Sequence, residues 1–344
     1  MTLAIGTEKG GFLLDHTAAG WTVRPPLFPG WKVTAFGRAP SGEYLLAVGS
    51  NWFGAAIHRS RDLSTWDQVI AGPSYEGLDR PLTQIWTLAT QGTRIYAGVD
   101  EAGLFRSDDD GVTWQPVTGL NEHETRPGWV PGLGGLAAHR ILTDPGNDDR
   151  IWCAISAVGL FRSDNGGETW DTKNHGIRQG LEIEDFDGIG FCVHSVTLDP
   201  DNPDHLWRQE HTGVFRSTDG GDSWEPIEKG LPAVFGMIMT RDHASGRLFV
   251  IPLESDERRL PVDGRFGVYR SDDNGDTWMP SGTGWPQEPT YTSVLRGAMT
   301  ADQTGGIFLG TTGGQVWASA DLGETWERLP LVVPRILTVA VFTD

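Results

Sequence analysis

The chain has 344 residues and a formal net charge of −19, from 27 basic and 46 acidic residues. That balance argues against binding DNA or RNA by phosphate neutralisation, and equally against an anionic membrane surface. Its 46 Gly and 15 Trp beside 21% charged residues describe a turn-rich globular chain with ample material for a core, not a disordered one.

The opening MTLAIGTEKGGFLL has no basic segment, long apolar run or small-residue cleavage site. It predicts a strand that starts at once and no signal peptide. No run of about 18 apolar residues follows, so no transmembrane helix is predicted and the expected location is the cytoplasm. A first unit ends in LLDHTAAGW at Trp21, and a second in the shortened RSRDLSTW at Trp66. The third contains four strand-like runs, QIWTLATQ, RIYAGVD, GLFRSD and TWQPVT, and its hairpin FRSDDDGVTW closes on Trp114. Close copies follow: FRSDNGGETW ending at Trp170, FRSTDGGDSW at Trp224, YRSDDNGDTW at Trp278 and WASADLGETW at Trp326. Successive tryptophans lie 45 to 56 residues apart. Helical periodicity is absent over any useful length, and an all-strand repeat of about 50 residues predicts a β-propeller. In later units TDPGNDDR, LDPDNPDH and RDHASGR supply the turn between first and second strands. Cys153 and Cys192 fall in apolar strand-like runs and read as two reduced, buried thiols; two Cys make no disulfide framework.

The repeated hairpin has a physical logic. Ser107 and Asp109 are placed to bond the turn's own N–H groups, Gly111 to take a positive φ, and Trp114 to bury its ring between neighbouring sheets. After Trp326 the run Ile336–Phe342 has the character of an innermost strand, yet no unit follows it, while the first unit begins at its second strand. The C-terminal strand is therefore expected to complete the N-terminal sheet and remove its open edge. The reading is an all-β, seven-bladed propeller spanning 1–344 as one domain.

In such a ring the links between blades and the second-to-third loops lie on one face, the top. Two links, residues 117–136 and 173–191, are long, and so is the loop LESDERRLPVDGRFG. Long loops on a rigid scaffold commonly carry binding. Aligned on their following turns, HRILTDP and HSVTLDP put His139 and His194 at the same register of adjacent innermost strands, and RQEHTG adds Glu210 and His211. Three imidazoles around one open position suit a divalent metal, zinc or manganese, that polarises a carbonyl or activates water. The same histidines also read as strand residues hydrogen-bonded between blades, or as metal-free acid/base groups. Glu210 reads as a base or as a group bonding its own loop. Arg296 and Lys9 are candidates for placing an anionic group, and Glu8, Asp100 and Glu101 for contacting a ligand. Trp52, Trp129 and Trp285 would stack on a sugar or anchor their loops. His123 and His175 read as solvated.

The pattern Ser-x-Asp-x-Gly-x-Thr-Trp resembles the Asp-box, or BNR repeat, well in five units and partially in a sixth. The whole chain resembles BNR-repeat propellers of the sialidase superfamily type. Its GTEKGGFLL and AISAVGLFRSDNGGETW look like bacterial glycosyl hydrolase-like members of unassigned activity. The resemblance implies that the hairpin is structural, not catalytic. True sialidases carry a Phe-Arg-Ile-Pro-like motif, an arginine triad and a Tyr–Glu pair, generally on six blades. This chain lacks that motif, leaves only Tyr75 and Tyr291 in top loops, and marks no triad among Arg80, Arg140 and Arg296. It therefore does not read as a true sialidase. Xyloglucanase-like propellers carry similar hairpins but work as two propellers with a cleft between them. Photosystem II assembly factors and sortilin-type receptors use similar propellers to hold partners. Two functions follow. One is a hydrolase or lyase acting on a small polar or sugar-like ligand in the top funnel, with His139, His194 and His211 holding a metal or sharing proton transfer and Glu210 assisting. The other is a non-enzymatic module that binds a protein partner. The His- and acid-bearing top loops favour the first.

Overall fold

The computed structural model describes residues 1–50, 52–75, 77, 80–178 and 186–343. Among them, seven four-stranded antiparallel sheets follow one another around a ring. The expected closure is present: Ile336–Phe342 pairs antiparallel with Thr2–Thr7 and forms the innermost strand of blade 1. The innermost strands of blades 2 to 7 are Lys32–Arg38, Gln84–Gln91, Ala138–Asp144, Val193–Asp199, Phe235–Arg241 and Met299–Ala301. Among the described residues helix is confined to three short turns, Thr118–Asn121, Arg126–Gly128 and Val262–Gly264, and none is long and apolar enough to cross a membrane.

The core lies between facing sheets, because each blade buries both faces against its neighbours. Phe105, Phe161 and Phe215, at one position of successive third strands, are fully buried in separate inter-blade clusters. The hairpin works as its residue types demand. Ser107 Oγ donates to Asp109 Oδ1 at 2.8 Å and accepts from the Gly111 N–H at 2.8 Å, while Asp109 accepts from the Thr113 N–H and hydroxyl. Gly111 takes a φ of 85°, open to glycine at no steric cost. The same set recurs at Ser217–Asp219–Ser223, Ser271–Asp273–Thr277 and Ser319–Asp321–Thr325. These hairpins also join blades. The Trp224 and Trp278 indoles donate to the carbonyls of Lys173 and Ile227, on the chain arriving from the preceding blade. Arg106, Arg162 and Arg216 each donate to a hairpin carbonyl of the following blade. A blade is thus held by polar clasps as well as by apolar burial.

One irregularity positions the functional groups. In blades 2 to 5 the innermost strand carries a bulge near its top, and the unpaired residues are Thr34, Trp86, His139 and His194. A bulge re-aims one side chain out of the pleat. All four residues line the central channel.

Candidate functional site

The channel holds an upper and a lower cavity, which share Trp86, His139, Arg296 and Gly297 in their walls. The upper cavity holds about 890 Å³ and the lower about 370 Å³. The upper one is walled by the starts of the innermost strands, by the glycine-rich turn at Gly132 and Gly134, and by Asp256 and Arg259 of the long blade 6 loop.

Three metal-ligating side chains meet in this wall: the donor atoms of Cys192, His194 and His211 all lie within 4.8 Å of one another. His194 Nδ1 hydrogen-bonds the Gly236 carbonyl at 2.6 Å, so that nitrogen carries the proton and Nε2 presents its lone pair. That Nε2 sits 3.5 Å from the Cys192 sulfur. His211 Nε2 lies 3.2 Å from an Asp256 carboxylate oxygen, which orients its ring. Anchoring one imidazole nitrogen on a carbonyl or carboxylate while freeing the other is how metal-binding histidines are oriented. The arrangement serves equally for passing a proton. Burial, with the Arg296 charge acting the same way, holds His194 well below the ordinary imidazole range, so it is neutral at pH 7. Burial also pushes the Cys192 thiol up, which leaves little thiolate and weakens it as a nucleophile. Cys153 is buried elsewhere, its thiol pushed up to about 12.

His139 lies outside the three-donor group. Its bulge turns the ring onto the Val193 carbonyl of the next blade at 3.0 Å, and burial holds it neutral. It is a strand histidine bonded between blades, as one of the sequence readings had it, and Cys192 stands in the place expected for it. Glu210 does not line the cavity. It is fully buried and pairs with Arg208 at 2.6 Å, while Arg208 also donates to Asn174 at 2.7 Å. Burial pushes the Glu210 carboxyl up and the Arg208 charge pulls against it. The pair therefore braces blade 5 and the link at Asn174.

Arg296 and Glu8 line the cavity, with Glu8 held 3.5 Å from Lys32. Lys9, Asp100 and Glu101 are not among the lining residues. Lys9 is exposed, Glu101 pairs with Arg126 at 3.2 Å, and burial pushes the Asp100 carboxyl up. Trp129 is a loop anchor: buried, it donates to Thr125 at 3.0 Å and packs on Phe161. Trp285 packs on Trp317 and Trp326. Trp52 is 88% exposed beside Phe53, itself stacked on Trp31. His123 is not solvated; it bonds Thr125 and the Trp170 carbonyl, whereas His175 is exposed. Arg80 donates to the Asn121 carbonyl, Tyr75 to that of Glu101 and Arg140 to that of Val196, whereas Tyr291 is exposed. Residues 179–185 of the second long link lie outside the described residues.

The residues that sequence reasoning missed are Cys192, Asp256 and Arg259. Cys192 stands two positions before His194, just ahead of the strand Val193–Asp199 and its bulge. Asp256 and Arg259 belong to a loop singled out for its length but not for any residue in it.

No protein-family model matches the sequence. A xyloglucanase of a Paenibacillus species is 27% identical over 232 residues, covering 58% of this chain and 22% of that protein. Xyloglucanase Xgh74A of Acetivibrio thermocellus is 26% identical over 220 residues, covering 55% of this chain and 24% of that protein. The chain thus spans less than a quarter of the length of each of these relatives. Among solved structures, an ancestral GH74 enzyme superposes with a TM-score of 0.55 at 18% identity over 82% of this chain and 35% of that one. YCF48 from Cyanidioschyzon merolae superposes with a TM-score of 0.56 at 14% identity, covering 89% and 87% of the two chains. YCF48 bound to D1 peptide gives 0.54 at 14% identity, covering 87% and 82%. At these identities the structures show the shared propeller fold.

Proposed function

We propose that the chain is a hydrolase or lyase of glycosyl hydrolase-like type, acting on a small polar or carbohydrate-like ligand in the top cavity, and that it is not a true sialidase. The observation that carries this reading is the convergence of Cys192, His194 and His211 on a concave wall, with one nitrogen of each imidazole anchored and the other nitrogen of His194 turned to the Cys192 sulfur. A cavity with few, converging polar groups is the usual form of a small-molecule site. His194 and His211 perform proton transfer, His211 oriented by Asp256. The same three side chains would hold a zinc or manganese ion, which would polarise a carbonyl or activate water. The xyloglucanase relatives support a carbohydrate ligand.

The test is incubation of the purified chain with neutral and acidic oligosaccharides, following reducing ends for hydrolysis and conjugated unsaturated products for elimination. Turnover that drops about a hundredfold or more in His194→Gln and His211→Gln, with folding intact, is the expected result. Turnover unchanged in both variants overturns the assignment.

A second reading has its own support. Trp52 and Phe53, 88% and 77% exposed, and Leu133, 91% exposed, leave large apolar side chains in solvent on top-face loops. One of the similar structures is described with a bound peptide. A protein partner seated on this face would cover them.

A further inference from the structure

The chain is strongly acidic, with a formal charge of −19, yet the wall of its top cavity carries the opposite sign. Lys32, Arg259, Arg296 and Arg335 line it against the carboxylates of Glu8 and Asp256. Both acids already have partners there, Glu8 with Lys32 at 3.5 Å and Asp256 with His211 at 3.2 Å. Among the described residues no carboxylate pairs with Arg259 or Arg296. Arg259 is fixed by its Nε, which donates to the Asp256 carbonyl at 3.0 Å, and its terminal nitrogens remain for another acceptor. Arg296 Nε is buried with no hydrogen-bond partner at all. The Arg296 head lies against Gly134, whose Cβ position is 3.5 Å from Nη1, an ordinary contact distance. Burial lowers the Arg296 pKa and the charge of Arg259 pushes the same way, against the opposing pull of Cys192 and Glu210. Two guanidinium groups face one cavity and, among the described residues, neither is in an ion pair, which leaves their charge for a bound anion. A guanidinium fork is also the group best matched to a planar oxyanion.

We infer that the top cavity takes a ligand bearing an oxyanion, a carboxylate on a sugar-sized molecule, seated between Arg259 and Arg296. The inference deepens the proposed function and rests on it for the sugar-sized remainder, which the seated anion places against Cys192, His194 and His211. The acidic group anchors and the imidazoles act on the part beside it. The opposite charge of the rest of the surface confines such a ligand to this one basic wall.

Binding of glucuronate, its methyl ester, glucose 6-phosphate and glucose to the full chain, followed by calorimetry at low and high salt, tests it. Glucuronate is expected to bind about tenfold or more tighter than its ester and than glucose, with the advantage shrinking in salt. Arg296→Gln and Arg259→Gln are each expected to lose that advantage. Without ligand, Arg296→Gln is expected to keep or raise the thermal midpoint, since it removes a charge that has no ion-pair partner and a buried Nε with no acceptor; a merely structural arginine would lower it. Glucose 6-phosphate binding tighter than glucuronate assigns the seat to a phosphate rather than a carboxylate and overturns the carboxylate assignment. Glucose or the ester binding as well as glucuronate, or an advantage unchanged in both variants, overturns the anion seat and leaves the proposed function standing. No binding by any of the four overturns both.

Discussion

The Nε2 of His194 lies 3.5 Å from the Sγ of Cys192 while its Nδ1 is committed to the Gly236 carbonyl at 2.6 Å. That bond holds the ring in place, with its Nε2 lone pair aimed at the sulfur. With His211 the set resembles three ligands around an open position, drawn in to about 3.5 Å of one another by bonds of 2.0–2.3 Å. Protein purified without a histidine tag is expected to take up one equivalent of zinc or manganese, and to melt higher with it. Cys192→Ala and His211→Ala are expected to abolish both effects, whereas His139→Gln keeps them. Elemental analysis and thermal melts check this; less than about 0.2 equivalents with an unmoved midpoint removes the metal and leaves proton transfer alone.

The ring was legible in the sequence because its evidence is repeated. The turn chemistry of Ser107, Asp109 and Gly111 is restated in later units, and an unpartnered strand, Ile336–Phe342, matches a unit that lacks one. The equal register of His139 and His194 was legible too, and both reach the channel. What separates them was not. Each sits at a bulge, which breaks the alternation on which strand reading depends, and which group the ring then meets is set by the neighbouring blade. Glu210 looked chemical because it stands beside His211, but its partner Arg208 lies two residues back on the same strand, facing the inter-blade core. An ion pair inside a core and a catalytic acid at a loop have the same letters.

That pair predicts a stability phenotype in place of a catalytic one. Arg208 and Glu210 are both fully buried. Removing the acid alone, in Glu210→Ala, leaves an uncompensated guanidinium and is expected to destabilise by about 3–5 kcal/mol. Replacing both, as Arg208→Met with Glu210→Leu, should recover most of that loss. Urea unfolding of Glu210→Ala and of the double variant reads the difference. A Glu210→Ala variant of native stability with lost turnover would return Glu210 to the chemistry.

The hairpin carboxylates set an acid limit on the fold. Their hydrogen bonds to backbone and hydroxyl groups hold Asp109, Asp219, Asp273 and Asp321 below the ordinary range, against burial that raises them. A depressed carboxyl contributes stability that is complete above its unfolded pKa, about 3.9, and is lost as pH falls through the folded value. Thermal midpoints are therefore expected to drop steeply below about pH 4. Blade 4 already uses Asn165, which accepts from the Thr169 N–H and donates to its hydroxyl. Asp219→Asn should thus fold with less than about 1 kcal/mol of loss at pH 7 and should lessen the acid drop, whereas Asp219→Ala loses about 1–2 kcal/mol, as other turn-capping oxygens do. An acid drop as steep in Asp219→Asn as in the native chain counts against it.

A second, milder limb is expected at higher pH, and its source is the channel. His139 is 7% exposed and bonded to the Val193 carbonyl, and burial and the Arg296 charge keep it neutral. His194 is 3% exposed and held the same way. Above about pH 6.5 neither the folded nor the unfolded imidazole binds a proton, so stability is flat. Below it the unfolded chain takes up protons that the folded ring refuses, and stability falls by about 1.4 kcal/mol per pH unit for each such group. Denaturant unfolding between pH 7 and pH 5 should show this slope. His139→Gln keeps a donor for the Val193 carbonyl but cannot titrate, so its slope should be shallower by one imidazole's share, with stability at pH 7 within about 1 kcal/mol of native. An identical slope in the variant would mean that His139 takes a proton in the folded ring, and with it that water reaches the wall shared by the two cavities.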